Sequence, residues 1–589
     1  MTYSEKLDAI FRRGQLKGNR ICRVFLPIII FALPLFLSAT LLADAGDPPA
    51  RVARLSFFKG TVSLQPSGAN DWSQASLNYP LTTGDRIYTD QDSRAELEIG
   101  SAAVRASATT DLTVANLNDQ FMQLGLGQGA IRVRLYDLPN GDSIEVDTPN
   151  GALTLLLPGD YRVETFPNNS ATLVTVTNGA LDVSGGDLSQ RVESGQAVKL
   201  TGTDPIAVSF VSAPEPDDFD QWCWQRDRRF ISSDSTVYVS RETPGYDDLD
   251  AYGDWDENTP LGPVWYPSGV AVGWVPYRFG RWVWIVPWGW TWVESEPWGF
   301  APFHYGRWVF VGGRWGWVPG PIAMRPYYAP ALVVFLGGAQ LSLGIGGVQA
   351  WFPLGPGEPF FPWYHYSSNY LRQVNVANIR HAENITNITS ITNVSGIHFV
   401  NKQTATTVAP TSIFRNGQRV DRQVVHIAPE QLARAEVIPH PETNPTARAL
   451  GAGRPATNPP AIATRAMAPT AGRTPPATPG TRQVYQPPSA PPGAPAGGGM
   501  VGGPPHAAPR LITRSPLPPP SIPFSAHLPA MQEHPGRPLE PQQVENLRAG
   551  KPAGPVRDRE VPAHPAPAPK SESRPSPPPA PTPAAPHKH

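Results

Sequence analysis

The chain has 589 residues, with 71 prolines, 17 tryptophans, two cysteines and a formal net charge of −1. Near-neutral charge gives no general drive toward nucleic acid or an anionic bilayer, and two cysteines exclude a disulfide scaffold and a thiolate zinc site. Of the prolines, 39 follow His440, whereas no tryptophan follows Trp363, so an aromatic, core-forming part and a proline part are physically different materials.

Residues 1–45 read as an export segment. Lys6, Arg12, Arg13, Lys17, Arg20 and Arg23 precede a charge-free apolar run from Val24 to Leu42, and Ala43-Asp44-Ala45 supplies a small-x-small cleavage site. The run of 19 residues exceeds a usual signal core and approaches a bilayer span, so cleaved signal peptide and uncleaved inner-membrane anchor both stay open. Either way the remainder is expected outside the cytoplasm, in the periplasm or cell envelope.

Residues 50–202 predict an all-β module. Thr61-Val62-Ser63-Leu64, Ala95 to Ile99, Ala130 to Leu135 and Thr172 to Val176 alternate with period two. Turn dipeptides punctuate them at Gly84-Asp85, Asn140-Gly141, Asn150-Gly151, Gly159-Asp160 and Asn178-Gly179. A barrel, a sandwich and a short β-helix all satisfy this pattern. The ordered pieces Gly60-Thr61-Val62, Leu81 to Thr89, Ser93 to Leu97, Gly129 to Val133, Val146 to Ala152 and Gly179 to Val183 resemble the periplasmic FecR-type domain. That resemblance implies an envelope sensor or interaction module with no catalytic residue. Only 23 residues precede the apolar run, too few for the folded cytoplasmic domain that sigma-factor regulation requires.

After a linker at 203–218, residues 219–365 carry an internal repeat. Trp274-Val275-Pro276-Tyr277-Arg278-Phe279-Gly280-Arg281-Trp282-Val283-Trp284 matches Phe300-Ala301-Pro302-Phe303-His304-Tyr305-Gly306-Arg307-Trp308-Val309-Phe310. Arg-Trp-Val-Trp and Trp-Thr-Trp-Val have period two and predict helix-free β-hairpins. Two readings follow for Trp282, Trp284, Trp290, Trp292, Trp308, Trp315 and Trp317. The rings either build the core of a thin unit, or stand exposed as a platform for glycan, with the guanidiniums of Arg281 and Arg307 over indole faces. Tyr328 to Phe335, Trp351 to Glu358, Tyr366 to Tyr370 and Val374 to Asn378, with the Gly-Arg-Trp repeats, resemble a tryptophan-rich bacterial domain of unknown function that often follows FecR-like domains. The resemblance spans about residues 220–430. Leu332 to Val348 reads as buried strands.

Little points to chemistry. Glu294 and Glu296 share one strand face, a spacing that could suit paired acids, although two acids beside hydrophobic strands are usually a solvated face. Asp247, Asp248, Asp250, Asp254, Asp256 and Glu257 read as a charged loop without the spacing of a calcium loop. Cys223, between Trp222 and Trp224, reads as a small apolar residue. Residues 366–430 form an Asn/Thr-rich β or loop extension, with a short solenoid rung conceivable over Asn384 to Asn393. Residues 440–589 predict a disordered proline-rich spacer. The expectation is a mostly β, non-enzymatic bacterial envelope protein without cofactor or metal. Its expected partners are envelope proteins or cell-wall glycan, and the membrane if the leader is retained, but not nucleic acid. Glycan or peptidoglycan binding through exposed tryptophan rings and FecR-type envelope signalling are the alternatives.

Overall fold

Alternating apolar residues build two sheets over residues 53–211. The computed structural model describes residues 46–166, 170–322, 325–338, 347–376, 378, 398–451, 455–456 and 510–553. The leader, the Asn384 to Asn393 segment and residues 457–509 and 554–589 of the tail lie outside them.

The first sheet runs, in spatial order, Pro80–Leu81, Ala53–Lys59, Arg94–Ile99, Ala102–Ala106, Phe121–Leu135, Gly159–Phe166, Ala171–Asn178, Ala197–Thr201 and Ala207–Val211. The second runs Ser73–Gln74, Val62–Gln65, Arg86–Thr89, Asp111–Leu117, Phe121–Leu135, Ser143–Thr148, Gly151–Leu155, Ala180–Gly185 and Leu188–Glu193. The long strand Phe121–Leu135 belongs to both. Its first half pairs with Asp111–Leu117 and Ser143–Thr148, its second with Ala102–Ala106 and Gly159–Phe166. Gly129 sits at the changeover with φ +87°, where a Cβ would fall 2.5 Å from the Thr110 Cα, so only glycine fits. Leu64, Leu97, Val104, Leu124, Val133, Val163 and Val183 fill the core. The strands expected from Thr61, Ala95, Ala130 and Thr172 are all present.

Two boundaries are corrected. The linker expected at 203–218 contains the edge strand Ala207–Val211, which extends the first module. The next region is not helix-free: Asp218–Ser232 is an α-helix. Asp217 caps it by accepting from the Phe219 and Asp220 amides, while Asp220 returns a bond to the cap, a reciprocal box.

Beyond it lie the expected hairpins. Gly280–Ile285 pairs with Gly289–Glu294, with Trp282 opposite Trp292 and Trp284 opposite Trp290. Arg307–Val311 pairs with Arg314–Val318, with Trp308 opposite Trp317. This second hairpin joins Gly253–Asp256 and Val264–Pro267 in a four-stranded sheet through Trp265 opposite Trp317. Val333–Gly337 and Val348–Pro353 pair as buried strands and recruit Thr407–Pro410 and Glu436–Ile438. One continuous apolar cluster runs from Val52 through the tryptophans to Met531.

That cluster corrects the expected disordered tail over residues 440–451, 455–456 and 510–553, with Ala449 and Leu450 buried in it. Helices Phe524–Met531 and Pro541–Arg548 pack back on the body, with Phe524 and Met531 buried. Asn444 accepts from the Gly536 amide at 2.9 Å and donates to the Met531 carbonyl at 2.8 Å. Among the described residues no helix is long and apolar enough to cross a membrane. The described chain is mostly β with a tryptophan-rich aromatic cluster.

Candidate functional site

The seven candidate platform rings stand in the core, not on the surface. Trp282, Trp290, Trp292 and Trp317 are fully buried, and Trp284, Trp308 and Trp315 are nearly so, Trp315 the most accessible at 6%. They meet edge to face: Trp282 and Trp292 at 5.5 Å and 70°, Trp284 and Trp290 at 5.4 Å and 90°, Trp282 and Trp351 at 5.5 Å and 86°. Several indole N–H groups donate to main-chain carbonyls, Trp290 to Thr443 at 3.0 Å, Trp308 to Pro302 at 2.8 Å and Trp317 to Tyr305 at 2.8 Å. The two repeats touch through rings, Trp274 meeting Trp298 and Trp308 at 5.6 and 5.5 Å, rather than through strand pairing. A sugar has no flat face to stack on here.

The arginine expectation changes with the rings. Arg307 is buried and donates to the carbonyls of Glu358 and Gly306 and to Asn375 Oδ1, instead of lying over an indole. Burial lowers its pKa to about 10. Arg281 is half-buried and lines a cavity with Gln74, Ser76 and Arg419.

The densest polar constellation lies where strand alternation predicts solvent. On the outer face of the first sheet, register sets Glu96 beside Arg105, Arg105 beside Arg132 and Arg132 beside Arg162. The Asp218–Ser232 helix covers this row with its acidic face. Arg105 reaches Glu96 at 2.7 Å and Asp227 at 2.6 Å, Arg162 reaches Asp220 at 2.5 Å, and Arg132 pairs with Asp220 and with Asp160. Burial opposes charge on Glu96, but Arg105 and Arg226 outweigh it and hold the carboxyl at about 2. Cys223 faces the same layer, and burial pushes its thiol up to about 12. It is inert packing, as its flanking tryptophans suggest.

The charged loop at Asp247 is likewise corrected at its inner end. Asp247 and Asp248 are buried beside Arg54, a fully buried guanidinium. Arg54 pairs with Asp248 at 2.5 Å and Glu98 at 3.2 Å and donates to Asn78 and to the Pro297 carbonyl. Burial, together with Glu98 and Asp248, drives the Asp247 pKa well up. Glu294 and Glu296 do not share a strand face, since the strand ends at Glu294. Glu294 is buried and accepts from Trp292 Nε1 at 3.0 Å and the Ser295 amide at 2.8 Å, and burial raises its pKa to about 7. The Glu296 carbonyl accepts from Asn78 at 2.7 Å. His304 is buried, with Nδ1 2.8 Å from the Ala329 carbonyl, and burial lowers its pKa to about 3. Among the described residues no group of three His, Cys, Asp or Glu could hold a metal ion.

The helix and its salt-bridge layer escape a period-two search. Their signal is the Asp217-x-x-Asp220 box and the spacing of Phe219, Cys223, Asp227 and Phe230, which puts apolar and acidic residues on one helical face.

Residues 246–358 match the profile of a family of unknown function (DUF6600), inside the region read as tryptophan-rich. No curated protein matches the chain. Two crystal structures described as a "putative anti-sigma factor" from Parabacteroides distasonis ATCC 8503, at 1.65 and 2.50 Å resolution, are similar at 14% identity and a TM-score of 0.20. The first match covers 22% of this chain and 60% of that one, and the second covers 28% and 72%.

Proposed function

We propose that the chain is a non-enzymatic bacterial envelope protein whose FecR-type module and tryptophan-rich domain form one rigid interaction scaffold. The observation that carries this reading is where the reactive-looking groups go. Glu294, Asp248, Arg54, Arg307 and the seven candidate tryptophans all lie inside the joint core. The basic leader and the ordered FecR-type motifs support export. The Ala207–Val211 strand stays at the edge of its sheet, with Phe210 54% exposed, and offers one surface for a partner.

The test is fractionation of bacteria expressing the full chain with a carboxy-terminal tag. The expected result is recovery with the envelope or periplasm, and digestion by external protease once the outer membrane is permeabilised. Recovery of intact, leader-bearing chain from the cytosol would refute the reading.

A further inference from the structure

Inside the proline-rich region, residues 510–523 lie extended across the outer face of the second sheet. The contacts are few and directional. Ile512 forms an isolated antiparallel bridge with Thr148, its amide donating to the Thr148 carbonyl at 2.9 Å. Glu145 takes the next turn of chain, its Oε1 accepting from the amides of Arg514 and Ser515 at 2.9 and 3.0 Å. Its Oε2 accepts from the Ser515 hydroxyl at 2.5 Å. Pro516 follows, where no further amide is available. Gln123 Nε2 lies 3.4 Å from the Ser515 carbonyl, Ser521 Oγ lies 2.5 Å from Ser67 Oγ, and the Phe524 amide donates to Gly68 at 3.0 Å.

The sheet is shaped for this chain. A Cβ on the strand residue Gly125 would fall 2.8 Å from Leu511 Cδ1, and one on Gly185 would fall 2.4 Å from Ile206 Cδ1 and 3.2 Å from Ile512 Cγ2, while in the turn at Gly68 (φ +76°) it would fall 2.6 Å from the Ile522 carbonyl. Gly125 and Gly185 thus leave room where a strand face would ordinarily carry side chains. The fit is incomplete at one end. Leu517 and Pro518 to Ser521 roof a cavity of about 340 Å³ floored by Asn70, Arg86, Asp111, Thr113 and Ala115. An isolated bridge, three amide bonds to the sheet and an unfilled cavity describe a docked ligand rather than a strand of the sheet. Extended proline-rich peptides suit such grooves because little conformational entropy is lost on binding.

We propose that the outer face of the second sheet is a peptide-binding groove for an extended chain of the pattern apolar-apolar-x-x-Ser-Pro, held in cis by residues 510–523 and open to a second peptide of that chemistry when they release. Glu145 reads the two amides and the hydroxyl before the proline, so the groove takes Ser-Pro and rejects phosphoserine-Pro by charge repulsion. This inference is independent of the envelope location proposed above.

The test uses the full chain and a fluorescent synthetic peptide spanning residues 508–526. A tail variant, Ile512→Glu with Ser515→Glu, places one acid against Glu145 and another in the apolar seat beside Gly185, and changes no residue of the sheets. Peptide anisotropy is expected to report binding to that variant roughly 100-fold tighter than to the unaltered chain, whose tethered segment competes at high effective concentration. Adding Glu145→Ala, or phosphorylating the peptide serine, should abolish binding. The groove is refuted if the tail variant, with native near-ultraviolet dichroism, fails to bind, or if either control binds as well. Hydrogen exchange on the unaltered chain tests release without any substitution. The Ile512, Arg514 and Ser515 amides should exchange through local opening, faster than those of Phe121–Leu135. Exchange only on global unfolding would overturn the proposal.

Discussion

A tryptophan in this chain is worth what it touches. Trp282 meets Trp292, Trp351, Phe335 and Phe414, all within 5.5 Å between ring centroids. Trp282→Ala and Trp308→Ala are each expected to lower unfolding free energy by about 3–5 kcal/mol in urea titrations, because a large ring leaves a cavity the hairpins cannot close. Losses under about 1 kcal/mol, a typical surface value, would mean that the rings are not core. Asp147 poses a different problem. Burial and the adjacent Glu145 raise its pKa from 3.8 to about 9. A folded-state value above the unfolded one means that its contribution is full below about pH 4 and is lost as pH climbs toward 9. Asp147→Asn removes this loss while keeping an acceptor for Gln123, which donates to Asp147 at 2.8 Å. The variant should therefore gain stability over the parent at pH 8, by about 1–3 kcal/mol, and the gain should shrink toward pH 4. Thermal melts at both pH values decide it; a pH-independent difference counts against a protonated Asp147.

At the scale of elements, the Asp218–Ser232 helix turns a row of sheet arginines from a solvated face into an interior. Asp220 is its pivot, bridging Arg132 and Arg162. Asp220→Ala would leave Arg132 with Asp160 alone and Arg162 with Glu164 and Asp217, and should lower stability by about 1–3 kcal/mol. Cys223, three residues on, reports the event directly. Its thiol, held at about 12 by burial, should resist a thiol reagent in the parent protein and react measurably faster in the variant. Equal reactivity in the two proteins would place the helix's hold elsewhere. This layer also shows how far the sequence could be read. Strand positions were legible because period-two alternation reports which face is apolar, and the Trp282 and Trp308 hairpins followed from the same rule. Alternation does not say what covers the polar face. Glu96, Arg105, Arg132 and Arg162 look identical whether they face water or an acidic helix. The tryptophans posed the reverse difficulty: core and platform have one composition, and only third partners such as Trp351 and Phe414, far along the chain, distinguish them. The docked 510–523 segment was obscured by proline content, which describes a chain poor in core formers and not one held against the face of another element.

For the whole molecule, the question is whether the two β regions are separate domains that happen to be adjacent. Arg54 answers through its partners. It lies on Ala53–Lys59 of the first sheet, yet its guanidinium binds Asp248 and the Pro297 carbonyl of the second region as well as Glu98 and Asn78 of its own. Asn78 in turn donates to the Glu294 and Glu296 carbonyls at 3.2 and 2.7 Å. Such a joint cannot open without taking the Arg54 counter-charge away from Asp247 and Asp248. The two regions are therefore expected to unfold together. Fourteen of the 17 tryptophans lie at or beyond Trp255, so indole emission follows the second region. Cys223, against the first sheet, follows the other. In a urea titration the two signals should share one midpoint, as an all-or-none transition requires. Arg54→Ala should move that midpoint down by the equivalent of about 3–5 kcal/mol, with the signals still coincident or just beginning to part. Arg54→Lys should recover only part of the loss, since an ammonium cannot serve Asp248, Glu98, Asn78 and the Pro297 carbonyl at once. Two well-separated midpoints in the unaltered chain would show that the aromatic region and the sheets fold independently, and that the buried arginine merely sits between them.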